Sequence, residues 1–205
     1  FLQNDIYSLN EKEDESPKVS LKINKINEMK YLDNVKVQRL YIPYTLNMGN
    51  VKNIKVDEKY LWIPNIVSKA NYEVLKENLE LYEELFDGVC VNNVGTFHFF
   101  KDTKLKIHCG PYLNIINSFS AELLKEKGAD SFTFSIETNI RDMESIVKHN
   151  SLNAEIVAHE YAQLMVMKNC PMSLIKNCKN LQDCEKCTYN KGYSLKDRKG
   201  INFNI

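Results

Sequence analysis

The sequence predicts an α/β fold: parallel strands and helices curling into a (β/α) barrel-like domain, an incomplete barrel about one unit short of eight. Three observations carry this. Short β-rich runs alternate with helical runs between residues 19 and 158. The connections between them are short, as right-handed crossovers between parallel neighbours require. Seven strands can be counted in that stretch. A doubly wound open sheet is the competing arrangement.

The elements follow in chain order. Residues 10–17 (NEKEDESP) carry five charges and read as a linker, so residues 1–18 are set apart from the barrel-like domain of 19–168. Residues 19–24 (VSLKIN) alternate in polarity as a strand does. Residues 37–44 (VQRLYIPY) and 60–63 (YLWI) give the second and third strands. Tyr72, Leu75, Leu79, Tyr82 and Leu85 recur at helical spacing, which predicts one helix over 71–86. Asp87-Gly88 ends it, and 89–91 (VCV) reads as a buried strand. Within that strand Cys90 reads as core, and His98, among aromatics in TFHFF, reads as packing.

The unit then repeats. Residues 106–109 (KIHC) form a strand, and 117–127 a helix closed by Gly128, which suits a left-handed residue past the helix end. Residues 131–136 (SFTFSI) form a strand. Asn139 is placed to cap a helix reaching about His149, with Asp142 and Glu144 in its first turns. Residues 154–158 (AEIVA) close the series. Residues 193–205 read as a β-hairpin turned at Lys199-Gly200.

Composition excludes several classes. The 205 residues are 43% apolar and 26% charged, enough for one ordinary core. Lys+Arg and Asp+Glu both number 27, so no overall basic field favours nucleic acid. No run has the length of a membrane span, and no signal-peptide pattern opens the chain. Phosphate-cradling glycine loops are missing. The first residue is Phe1, which leads us to expect a segment of a longer protein or a trimmed one.

Residues 169–205 hold the sharpest chemical signal. Cys170, Cys178, Cys184 and Cys187 follow a C-x7-C-x5-C-x2-C spacing in a turn-rich loop. Thiolates suit zinc, copper(I) or iron–sulfur centres, and four satisfy either a tetrahedral zinc site or a cluster. Two disulfides are the alternative in an exported protein, and unrelated buried thiols the other. A cytoplasmic location is expected on the metal or cluster reading.

In parallel α/β folds the working residues sit at strand C-termini. Those positions here are Asn92 and Asn93, then His108, Cys109 and Gly110 with Asn114 and Asn117 beyond, then Glu137, then His159 and Glu160. Asn117 is also placed to be a helix cap, and His108 to hydrogen-bond a loop. Cys109 beside His108 suggests a thiol with its base. Neighbouring strand residues point to opposite faces, however, which argues against that pair.

Four segments together resemble the collagenase-like peptidases of family U32, in a C-terminal barrel-like portion of its long members. They are DGVCVNNVG (87–95), KIHCGPYLNIINSFSAELLKEKGADSFTFSIE (106–137), EIVAHEYAQLMVMKNCP (155–171) and YSLKDRKGINF (193–203), in that order. The resemblance implies a barrel-like fold, a bacterial cytoplasmic protein and a peptidase activity. It also implies that Cys170, Cys178 and one or both of Cys184 and Cys187 ligate a [4Fe–4S] cluster, with Zn²⁺ the alternative occupant. The family's Asn-rich turn falls on Asn114 and Asn117, its strand-end acid on Glu137 and its strand-end histidine on His159.

Three functions follow as expectations. In the first, a hydrolase, Glu137 or Glu160 acts as general base on water. His159 positions that water, His108 completes the catalytic group, and Asn92, Asn114 and Asn117 bind substrate. HEYAQ at 159–163 has Gln163 where H-E-x-x-H needs its second histidine, so that zinc-protease helix is not formed. In the second, a cluster-bearing module assists hydroxylation of an RNA base or a small aromatic ring. In the third, zinc clamps a structural segment. Expected partners are the remaining domains of a longer chain and a peptide or RNA substrate. A homodimer is left open, and no membrane contact is expected.

Overall fold

The computed structural model describes residues 17–25, 28, 30, 36–161, 163, 166 and 194–204. Seven parallel strands pair strictly in chain order. They are β1 (Ser20–Lys22), β2 (Arg39–Pro43), β3 (Glu58–Trp62), β4 (Gly88–Val91), β5 (Lys106–Cys109), β6 (Ser131–Thr133) and β7 (Asn153–Glu155). Between them run α1 (Met48–Val51), α2 (Lys69–Glu77), α3 (Leu79–Leu85), α4 (Val94–Phe100), α5 (Ser118–Glu126) and α6 (Ile140–Lys148). The sheet curls into a half-barrel, which bears out the expected incomplete (β/α) barrel.

Strand alternation sorts the side chains into two layers. Leu40, Ile42, Leu61, Val89, Val91, Ile107, Cys109 and Phe132 face the helices and form the main core with Leu75, Tyr82, Phe100 and Ala121. The opposite face of the same strands lines the concave side. There Tyr41, Tyr60 and Cys90 form a second buried cluster against Trp62. Cys90 is buried as expected, on the inner layer.

The helix caps follow the sequence. Asn117 Oδ1 accepts from the Ser120 backbone N–H at 2.8 Å, and Asn139 Oδ1 from that of Asp142 at 3.0 Å. Gly128 takes φ +105° after α5, as a left-handed terminator does. The single helix expected over 71–86 is instead two. Asn78 turns its Nδ2 back onto the Val74 carbonyl at 2.8 Å and leaves helical geometry. Two short helices, α1 and α4, were not anticipated. On α4 alternate aromatics do different work: Phe97 and Phe100 are buried, whereas His98 is exposed. The packing role expected of His98 is therefore corrected.

The chain divides into two units, Phe1–Ala158 and His159–Ile205. In the second, β8 (Ser194–Lys196) and β9 (Asn202–Asn204) pair antiparallel. Gly200, at φ +83°, supplies the turn. Asp197 Oδ1 accepts from the N–H groups of Lys199 and Ile201, both at 2.8 Å. Among the described residues no helix is long and apolar enough to cross a membrane.

Candidate functional site

The concave face of the half-barrel is polar where most barrels are aliphatic. Arg39, first residue of β2, places Nε 2.7 Å from Glu58 Oε2 and Nη1 2.9 Å from Glu155 Oε1. Its guanidinium lies 4.2 Å from the Tyr60 ring centroid. Glu155, last residue of β7, also accepts from Tyr41 Oη at 2.8 Å and Ser20 Oγ at 2.9 Å. These bonds join β7 to β1 and β2 at the far edge of the sheet. Side chains thus bridge the gap where an eighth strand would close the ring.

His108 lies fully buried beside this group. Nδ1 is 2.8 Å from Ser131 Oγ, and Nε2 is 2.7 Å from Thr133 Oγ1. Arg39 Nη1, which can only donate, lies 3.5 Å from Nδ1, and Glu155 Oε2 lies 3.7 Å from Nε2. This arrangement favours the proton on Nε2 and the lone pair on Nδ1. Burial, and then the nearby Arg39 charge, hold the His108 pKa well below its ordinary value. The imidazole is therefore neutral, with both nitrogens engaged.

Cys109 points the other way, into the helix-facing core. Burial, with Asp130 adding to it, pushes its thiol up to about 12. The opposed directions of His108 and Cys109 follow from strand alternation, so the two do not form a nucleophile and base.

A second polar group gathers at the exits of β4, β5 and β6. Asn92 is buried, and its Nδ2 donates to the Ile63 carbonyl at 2.7 Å. Its Oδ1 is buried with no hydrogen-bond partner among the described residues. That oxygen packs on Gly110, where an added Cβ would lie 2.1 Å away, so only glycine fits. Beyond Gly110 the chain makes a 3-10 turn and reaches Asn114 in the left-handed region, at φ 53°. Ser135 Oγ lies 3.4 Å from Asn114 Oδ1 and 3.4 Å from the Glu137 backbone N–H. The loop is pinned by Ser135 N–H donating to the Ile115 carbonyl at 3.3 Å. Glu137 itself is exposed.

The structure thus gathers Asn92, Asn114 and Glu137 along one run of strand exits. His108 sits within the barrel interior. Asn117 lies beyond, its carboxamide oxygen engaged in capping α5. His159 belongs to the second unit, is exposed, and stacks edge-on with Tyr161 at 6.5 Å. Cys170, Cys178, Cys184 and Cys187 lie outside the described residues. Among the described residues no group of three or more His, Cys, Asp or Glu could hold a metal.

Sequence reasoning missed Arg39, Tyr41, Glu58 and Glu155. The available signal was parity. Strands buried on both faces are normally near-continuous hydrophobic runs. Arg39 within VQRLYIPY and Glu155 within AEIVA are charges in such strands, and each needs a partner on the same face.

These features define a parallel (β/α) barrel protein with a polar interior and its candidate groups on strand-exit loops. Residues 57–202 match the family model described as "Peptidase family U32", and the chain belongs to that family. Among solved structures, "The Structure of the U32 Peptidase Mk0906" is similar over 73% of this chain and 72% of its own. The TM-score is 0.57 at 14% identity, a likeness of fold. No curated protein matches the chain significantly.

Proposed function

We propose that the chain carries the hydrolytic site of a collagenase-like peptidase, working at the exits of β4, β5 and β6. The observation that carries this reading is the family match over 57–202, whose span includes Asn92, Asn114 and Glu137. Glu137 is the general base. It takes a proton from water as the water oxygen bonds to the scissile carbonyl carbon. It returns that proton to the nitrogen as the C–N bond breaks. Asn114 has an Nδ2 that makes no hydrogen bond among the described residues and can donate to the developing oxyanion. In the alternative, Glu160 is the general base and His159 positions the water. His108 supports the barrel wall beneath the site.

The test is cleavage of gelatin and casein by metal-replete protein. Glu137→Gln should lower the rate by about 100-fold or more with the fold intact. A variant rate within about twofold of the parent, or an inactive parent, would refute the assignment.

A second reading rests on the four-thiol set, whose donor chemistry fits zinc or a [4Fe–4S] cluster through Cys170, Cys178, Cys184 and Cys187. Zinc would clamp the segment, whereas a cluster would supply electrons for hydroxylating an RNA base or aromatic ring. Either suits a cytoplasmic protein. Elemental analysis and a visible spectrum of anaerobically prepared protein decide between them: one zinc and no colour, or iron, sulfide and a brown sample.

A further inference from the structure

We propose that the rim formed by the exits of β3, β4, β5 and β6 docks an extended, uncharged polypeptide segment with apolar side chains. This names the substrate class of the hydrolytic site and rests on the hydrolytic reading only for the cleavage of what docks.

The rim is apolar at positions that usually carry polar side chains. Ile66, Val94, Ile116, Phe119, Ile136 and Ile140 follow the four strands and are each 53–72% exposed. Val94 and Ile140 open α4 and α6, and Phe119 is the second residue of α5. The first turn of a helix favours acidic side chains, so large apolar ones gain nothing from the helix there. Printed contacts join each exit to the next. Asn93 Nδ2 donates to the Asn65 carbonyl at 3.1 Å, which ties the loops carrying Val94 and Ile66. Asn92 packs on Gly110. Thr138 Oγ1 donates to the Ile115 carbonyl at 3.5 Å, which ties the loops carrying Ile136 and Ile116. The outcome is a continuous apolar arc, the mark of a surface that meets another molecule.

Charge identifies the occupant. Residues 63–68, 92–96, 110–120 and 135–140 contain one charged side chain, Glu137, in a chain that is 26% charged. Nucleic acid and anionic lipid both call for lysine or arginine, and these segments have neither. A second copy paired by a two-fold axis would turn Glu137 toward its own counterpart, and like charges facing across an interface oppose association. The remaining polar groups are carboxamides and hydroxyls, among them Asn65, Asn114 and Thr138. Such groups pair with peptide N–H and C=O without demanding a charge. Four neighbouring strands spaced by about 4.8 Å span roughly 14 Å, the reach of about four extended residues. A neutral polypeptide with apolar side chains matches the arc, and it sets its backbone beside Glu137, the one ionic group present.

The full chain is titrated with fluorescein-labelled, amide-capped Gly-Ser-Ile-Gln-Phe-Gln-Ile-Ser-Gly and followed by anisotropy. The same peptide is tested with Ser, Glu or Lys at its three apolar positions. The apolar peptide should saturate, and each of the others should bind about tenfold more weakly or worse. The double variant Ile116→Ser, Ile136→Ser should weaken the apolar peptide by about tenfold and raise KM for gelatin with kcat unchanged. Val74→Ser, at an exposed position of α2, should change neither. The peptide series on the parent protein stands even if the double variant does not fold. Equal binding of the apolar and serine peptides, tighter binding of a charged one, or no saturable response would overturn the inference. So would a dimer, seen by sedimentation, that the double variant dissolves and the apolar peptide does not. Binding to phosphatidylcholine vesicles that the double variant abolishes, with peptide binding unchanged, would overturn it too. Apolar-selective binding by a protein that cleaves nothing would keep the rim and reject hydrolysis. Cleavage that Glu137→Gln abolishes and the double variant leaves unchanged would keep hydrolysis and reject the rim.

Discussion

Glu155 is the single carboxylate on which β1, β2 and β7 converge, and Glu155→Gln tests whether that convergence holds the half-barrel together. Three donors, from Ser20, Arg39 and Tyr41, reach its two oxygens. Glutamine keeps the shape but one acceptor oxygen, so at least one donor loses its partner and Arg39 loses one of two counter-charges. Breaking a fully buried ion pair costs about 3–5 kcal/mol, whereas an exposed one is worth about 0–1 kcal/mol. The Arg39 and Glu155 side chains are 17% and 24% exposed, and Arg39 retains Glu58. An intermediate loss of about 2 kcal/mol follows. With a urea m-value of about 2 kcal/mol/M, the unfolding midpoint should fall by about 1 M. Glu84→Gln, at the exposed pair with Lys52, should change stability by less than about 0.5 kcal/mol. A double-mutant cycle of Glu155→Gln with Arg39→Met should give a coupling above about 0.5 kcal/mol. A midpoint shift no larger than that of Glu84→Gln would refute the reasoning, since the network would then add nothing to a helix-packed sheet.

Two further outcomes follow from named atoms. Gly110→Ala sets a methyl against Asn92 Oδ1 and should destabilise by about 1–3 kcal/mol, with Asn92→Ala partly restoring the double variant in thermal melts; an undisturbed melting temperature would show that Asn92 moves aside freely. His108 has a lowered native pKa, so the unfolded chain binds its proton first as pH falls through about 6.5. Its contribution is complete above that pH and declines toward the native pKa, by up to about 1.4 kcal/mol per pH unit. Urea midpoints between pH 7.5 and 5 should therefore fall more steeply for the parent than for His108→Gln, and equal slopes would mean that the imidazole is not held neutral.

Much of this architecture was legible in the chain. The alternation of β and α runs gave the parallel half-barrel, and Asn117, Asn139 and Gly128 marked helix ends by chemistry that acts within a few residues. Legibility failed where one side chain's local competition, its direction, or a distant partner decided the outcome. Asn78 interrupts a helical pattern that reads as continuous, because its side chain competes locally for the Val74 carbonyl. His98 shares a run of aromatics with Phe97 and Phe100, but the helix there turns it outward. The Arg39–Glu155 pair spans 116 residues of sequence, and nothing in either strand names the other. The strand-exit residues were findable from fold class alone, since that class fixes where loops converge. The role of Ser135 in joining Asn114 to Glu137 shows only in three dimensions.

Because every strand lies beside its neighbour in sequence, assembly can proceed by accretion. Each β/α unit docks on an edge that synthesis has already laid down, and no earlier piece must part to admit it. The clasp is the exception: Glu155 emerges after nearly all its companions, and until it arrives Arg39 has, among the described residues, Glu58 as its one counter-charge. Such a ring should be latched last in refolding as well, which a φ-value near zero for Glu155→Gln would register and a value near one would contradict.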